Sequence, residues 1–280
     1  MSPSTRYVIF VLIFLVWLMF HLLQILCLHG YRQNGTVFKD KTGSLRKLLK
    51  KHAELIYITA PHLIPVNSSQ EMSTESTPAE QRGWYFSTEE KTFNSHDVTD
   101  FSRGIDDSLE VIASAFRELG PFDGILGFSQ GAALATFLCQ LLQKGGNSAD
   151  DCCDFCHYFH PLSLILVPIE LKYSFEFVIL VSGFPSKLSP HSHYYESVNQ
   201  IKSLHVIGET DRIVEKGNPH NSYLNGDTPP EICLLAEMSE ELIPHFQFPE
   251  ILFHPGGHYV PATSKEKAGY TNFLEKFQVK

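Results

Sequence analysis

The sequence predicts an α/β fold: a mainly parallel sheet with helices on both faces. Three observations predict it. Short, almost wholly apolar runs alternate with stretches of helical period along most of the chain, as in a parallel sheet buried on both sides. At 280 residues, 43% hydrophobic and 19% charged, the chain fits one such domain better than two. The third is the pentapeptide Gly127-Phe128-Ser129-Gln130-Gly131, set between an apolar run (Phe122, Ile125, Leu126) and an amphipathic helical pattern (Ala132, Ala133, Leu134, Phe137, Leu138, Leu141, Leu142).

Gly-x-Ser-x-Gly between a strand and a helix is the nucleophile elbow of an α/β-hydrolase fold, and its spacing has a steric cause. The sharp turn strains the serine backbone, and the residues two positions either side pack too closely for a Cβ. Ser129 Oγ is thereby lifted clear of the sheet, and the N–H groups opening the helix face any anion formed there. A Gly-flanked loop serine is the bland alternative; the flanking strand and helix argue against it.

Other elements follow from the same reasoning. Gln24 to Leu28 reads as a buried strand that ends at His29-Gly30. Lys41 to His52 has a basic helical pattern with apolar Leu45, Leu48 and Leu49, a solvated face rather than a binding patch. Glu54 to Thr59 is a second strand, and Val66 to Arg82, polar and without period, is a loop. At its end stands Gly83-Trp84-Tyr85-Phe86, aromatic packing or a substrate wall. Thr99 to Leu119 is helical through Ile105, Leu109, Ile112, Ala113 and Phe116. Phe177–Val181, Leu204–Gly208 and Ile251–His254 are the later strands, and Ala262–Phe277 a closing helix. Residues 24–280 form the predicted domain, with two stretches, about 145–173 and 215–248, that look like insertions.

The first 23 residues stand apart. Tyr7 to Met19 is apolar, and with the residues to Leu26 it reaches the length of a membrane span, broken only by His21 and Gln24. No small-residue cleavage site follows, which argues against a signal peptide. Two readings remain: a membrane anchor through residues 7–23, whose flanking charges (Arg6 against Arg32, Lys39, Lys41, Arg46 and Lys47) put the domain in the cytoplasm, or a gene-model artefact.

Composition narrows the partners. With 22 Lys+Arg against 31 Asp+Glu, the net charge of −9 disfavours a nucleic-acid partner. The six cysteines lack a disulfide-scaffold pattern, and Cys27 and Cys139 fall within predicted elements as small hydrophobes, which points to a reducing, cytoplasmic compartment. Cys153 and Cys156 have Cys-x-x-Cys spacing, but with no second pair the sequence implies no metal.

A serine hydroxyl becomes a useful nucleophile only when a base takes its proton, and the base needs an orienting acid. In the α/β-hydrolase order Ser, Asp/Glu, His, each sits on a loop after a strand. His258 lies in His254-Pro255-Gly256-Gly257-His258, after the last strand, with His254 as its rival. Asp211 follows the Leu204–Gly208 strand; Glu209, Asp227 and Asp150, Asp151 and Asp154 are worse placed. The expected triad is Ser129, Asp211 and His258. The expected oxyanion donors are the backbone N–H groups of Gln130 and of Tyr31, in the turn after the first strand, which leaves both side chains free to vary.

Several stretches resemble the FSH (family of serine hydrolases) group: Ile25 to Gly35, Lys41 to Lys47, Ala60-Pro61-His62, Arg82-Gly83-Trp84, Phe122 to Ala133 and the His258 loop. The similarity runs from about Gln24 to the C-terminus. It implies a cofactor-free Ser-Asp-His hydrolase of carboxylic esters, with medium- to long-chain alkyl or acyl esters, lipid-like small molecules, as substrates. Acyl thioesters are the alternative substrate, and a hydrolase-fold binding protein without activity is the alternative of another kind. The apolar N-terminus and both insertions depart from the family pattern.

Overall fold

The computed structural model describes residues 22–65, 80–146, 174–211 and 235–278. The N-terminal apolar segment up to His21, Asp227 and the cysteine-bearing stretch around Cys153 and Cys156 lie outside these residues. Among the described residues no helix is long and apolar enough to cross a membrane.

Six parallel strands form one sheet in the order β2-β1-β5-β6-β7-β8, where β1 is Leu23–Leu28, β2 Ala53–Tyr57, β5 Gly124–Phe128, β6 Phe177–Val181, β7 Lys202–Gly208 and β8 Pro249–His254. Two residues of each of β3 (His62–Leu63) and β4 (Arg82–Gly83) pair antiparallel beside it. Strands β5 and β6 are buried at every position, which is why they read as unbroken apolar runs rather than alternating ones.

Alternation survives in where the side chains go. Leu26 and Leu28 of β1, Ile125 of β5 and Val178 and Leu180 of β6 join one core layer; Ile25, Cys27, Leu126, Ile179 and Val181 join the opposite one. The first layer is covered by α3 (Ile105–Leu119) and α4 (Gln130–Gly146), through Leu109, Ile112, Phe116, Leu134, Phe137 and Leu138. The second is covered by α1 (Gly35–Lys41), α2 (Gly43–Leu49) and α6 (Lys267–Leu274), through Phe38, Leu45, Leu49, Tyr270, Phe273 and Leu274. This three-layer sandwich is the α/β-hydrolase fold. Cys27 and Cys139 are buried free thiols, each pushed well above the ordinary thiol range by burial.

Several boundaries differ from the sequence reading; the closing helix, for one, spans Lys267–Leu274 rather than Ala262–Phe277. The basic helix expected over Lys41 to His52 is α2, Gly43–Leu49, and a helix not expected from the sequence, α1, precedes it: Asn34 caps α1, its side chain accepting from Val37 N at 2.9 Å, and the two helices meet at Thr42. Helix α3 starts at Ile105 rather than Thr99, because Arg103 is drawn into a backbone bridge with Phe86 and Gly104 turns left-handed at φ 95°. Within the second of the two stretches, residues 235–246 contribute several buried side chains. Helix α5 (Leu235–Leu242) buries Leu235, Met238 and Leu242, and a 3₁₀ turn over Ile243–His245 leads to buried Phe246. Residues 212–234 and 147–173 lie outside the described residues.

The strand order places the site. The chain steps from β1 to β2 on one side and later to β5 on the other, so a crevice opens between the C-terminal ends of β1 and β5. Ligands of open α/β sheets bind at such a switch point. The turn at His29-Gly30-Tyr31 and the elbow at Ser129 both face it.

Candidate active site

The elbow has the strain its spacing predicts. Ser129 sits at φ 55°, in the left-handed region that non-glycine residues avoid, and is held there by its N–H donating to Val181 O on β6 at 2.9 Å. A Cβ on Gly131 would stand 2.3 Å from Leu28 O, and one on Gly127 2.5 Å from Ala132 Cα. The start of the helix thus lies directly on the β1 backbone at Gly131 and folds back against the end of β5 at Gly127, approaches that only glycine permits. Ser129 is 8% exposed.

Asp211 and His258 are brought together from two loops laced backbone to backbone. Glu209 N donates to His254 O at 2.9 Å and Thr210 N to Gly256 O at 3.2 Å. Asp211 is 1% exposed, and its Oδ2 and Oδ1 lie 3.1 and 3.2 Å from His258 Nδ1. With a carboxylate as partner, Nδ1 carries the proton and Nε2 is left with its lone pair outward. The imidazole reaches the elbow by packing on Phe128, the residue before Ser129, with ring centroids 4.8 Å apart. Among the described residues, no hydrogen bond joins Ser129 Oγ to His258; such contacts tighten when substrate binds.

The rivals are placed elsewhere. His254 is buried beneath the loop, accepting from Gly256 N at 3.3 Å and stacked edge-on to Tyr259, and burial lowers its pKa. Glu209 is exposed.

Opposite the elbow, His29 organises the turn after β1. It is fully buried; its Nε2 accepts from Ala60 N at 3.0 Å, so Nδ1 bears the proton and donates to Gly30 O at 2.8 Å. Burial holds its pKa down to about 4, so the ring is neutral at ordinary pH. Gly30 O also accepts from Gln33 N at 3.2 Å. The N–H of a trans peptide points opposite to its C=O, so fixing the Gly30 carbonyl also fixes the direction of the Tyr31 N–H. The backbone N–H groups of Tyr31 and Gln130 have no partner among the described residues. A Cβ on Gly30 would lie 3.4 Å from Ser129 Cβ, so the turn abuts the elbow.

Gln130 corrects the expectation that its side chain could vary. It is fully buried; Oε1 accepts from Trp84 N at 2.9 Å and Nε2 donates to Tyr85 O at 2.8 Å. Trp84 Nε1 in turn donates to His29 O at 2.7 Å. Trp84, Tyr85 and Phe86 are at most 1% exposed, so they pack rather than form a wall open to substrate. Sequence reasoning saw the aromatic cluster but not its partners, which are 45 to 55 residues away. It also missed Ser182, whose Oγ donates to Asp211 Oδ2 at 2.6 Å. No group of metal-ligating side chains occurs among the described residues.

A parallel three-layer sandwich with a strained serine elbow, and an aspartate–histidine pair on the loops after β7 and β8, defines the chain as an α/β-hydrolase. Comparison with known proteins gives its family. Residues 19–270 match the serine hydrolase (FSH1) family. The chain is 41% identical over 265 residues to "Esterase OVCA2" of Danio rerio, covering 91% of this chain and 98% of that one. It is 40% identical over 258 residues to "Esterase OVCA2" of Xenopus tropicalis, covering 91% and 93%. Among solved structures, acyl-protein thioesterase 2 of Zea mays superposes with a TM-score of 0.50 at 17% identity, over 91% of this chain and 94% of that one, a likeness of fold. The chain belongs to the FSH1 serine hydrolase family and is a hydrolase.

Proposed function

We propose that this protein is a serine carboxylesterase in which Ser129 is the nucleophile, His258 the general base and acid, and Asp211 the orienting acid. The observation that carries the reading is the buried Asp211 carboxylate on His258 Nδ1, with the imidazole packed on Phe128, the residue before the strained Ser129. His258 Nε2 takes the Ser129 proton as Oγ attacks the ester carbonyl. The imidazolium so formed is stabilised by Asp211, and it returns the proton to the departing alkoxide. Water, activated by the same Nε2, then hydrolyses the acyl-enzyme. The oxyanion of each tetrahedral intermediate is received by the N–H groups of Tyr31 and Gln130; one such donor is worth about 3–4 kcal/mol of barrier. Every proton moves between groups of the chain and the substrate, so the cycle needs no cofactor.

The ester as substrate is supported by the names of the relatives at about 40% identity; a preference for medium to long chains rests on the family resemblance. Acyl thioesters suit the same machinery. The test is hydrolysis of matched ester and thioester series of graded chain length by the wild type and by Ser129→Ala. The reading expects turnover of esters that Ser129→Ala abolishes, with the optimum beyond short acyl chains. A wild type inert towards both series would leave a hydrolase-fold binding protein; thioester turnover alone would leave a thioesterase.

A further inference from the structure

Ser182 has no part in the proton transfers above, yet it stands in an unfavourable conformation. It directly follows β6, is fully buried, and has φ 48°, in the left-handed region where a Cβ is penalised and glycine is not. Its N–H donates to Val206 O on β7 at 2.9 Å, so the backbone is held in place by the neighbouring strand. The side chain that this conformation retains has one polar atom, and that atom meets the Asp211 carboxylate: Ser182 Oγ lies 2.6 Å from Asp211 Oδ2. An ionised carboxylate only accepts, so the hydroxyl is the donor.

The geometry explains what a second donor does. Asp211 Oδ2 is also 3.1 Å from His258 Nδ1, and Oδ1 3.2 Å, so the imidazole alone straddles both oxygens. The terminal torsion of an aspartate is broad, and one shared donor leaves the carboxylate free to rock about it. A hydroxyl fixed to the sheet and bonded to Oδ2 stops that rotation.

We propose that Ser182 is a positioning residue of this active site: it fixes the rotation of the Asp211 carboxylate and, through it, the angle at which His258 presents Nε2 to Ser129. The inference rests on the serine-hydrolase reading above. Ser182 touches no reacting atom, so its loss lowers kcat while leaving KM unchanged.

The test uses the full-length protein with Ser182→Gly and Ser182→Ala. Glycine removes the hydroxyl and relaxes the backbone; alanine removes the hydroxyl and keeps the Cβ and the strain. Both are expected to lower kcat about tenfold at constant KM, the size of one charge-assisted hydrogen bond acting through an intermediary. Both are also expected to shift the downfield proton resonance of the His258 Nδ1–H, which a purely structural serine would leave in place. Should Ser182→Gly lose its fold, Ser182→Ala carries the same two readouts. If both variants keep wild-type kcat and an unmoved resonance while the wild type hydrolyses esters, the inference fails and the esterase reading stands. A wild type without hydrolytic activity removes both together.

Discussion

Replacing Gln130 by methionine isolates the part of the site that depends on a side chain where only a backbone group was expected to matter. Methionine keeps nearly the same volume and a flexible stem, so the cavity contribution is small. What is lost is a pair of buried hydrogen bonds. Trp84 N–H is left without its acceptor at 2.9 Å and Tyr85 C=O without its donor at 2.8 Å. Each stranded buried backbone group costs about 1–3 kcal/mol. The sum for the two groups is about 2–6 kcal/mol, a large share of the roughly 5–15 kcal/mol by which a domain is typically stable. Urea unfolding of wild type and Gln130→Met, followed by tryptophan fluorescence and circular dichroism, measures it directly. Activity should fall as well, since Trp84 Nε1 secures His29 O in the turn that carries the Tyr31 N–H. A loss of stability under about 0.5 kcal/mol, the scale of an ordinary surface substitution, would refute the reasoning, because the 84–85 segment would then be held by something other than Gln130.

Two further outcomes follow from the same geometry. His29, His191 and His205 are buried with pKa values lowered by burial from 6.5 to about 4. The unfolded chain therefore binds protons that the fold excludes. Their contribution is present above about pH 6.5 and lost as pH falls towards 4, with a limiting slope of about 4 kcal/mol per pH unit for three protons. Melting temperature is expected to drop steeply across that window; a flat profile from pH 6.5 to 4.5 would contradict the neutral assignments. Asp211→Asn is expected to fold and to lose about 10³–10⁴ in kcat. The Asn carbonyl would satisfy Ser182, turning its NH₂ to His258 Nδ1 and forcing the proton onto Nε2; near-normal turnover would contradict the orienting role.

How much of this was legible in the sequence depends on how local the cause is. The elbow was readable because the strained Ser129 and the close approach of Gly127 to Ala132 both lie within the pentapeptide and the residue after it, although the approach at Gly131 is to Leu28 on β1. Asp211 and His258 were readable from their place after strands and from chain order, and the structure joins them. Helix α1 went unread before the basic pattern that starts at Lys41; the Asn34 cap at its start was the overlooked local signal. Gln130, Trp84 and Ser182 were not legible in their roles. Each acts through a partner 29 to 55 residues distant, and nothing in a neighbouring sequence position reports such a contact. The burial of side chains from residues 235–246 was hidden for a related reason: Pro-rich, polar sequence precedes a short helix whose Leu235 and Met238 cluster with Ala133 and Phe184, residues distant in the chain.

The central claim is that one hydroxyl, at Ser129, is the reactive nucleophile. Reaction of the native protein with a fluorophosphonate, followed by digestion and mass mapping, tests it most directly. The account predicts a single phosphonylated residue, Ser129, formed in the native protein, abolished by unfolding and absent from Ser129→Ala. Adduct on any other serine, or labelling that persists in Ser129→Ala, would contradict it.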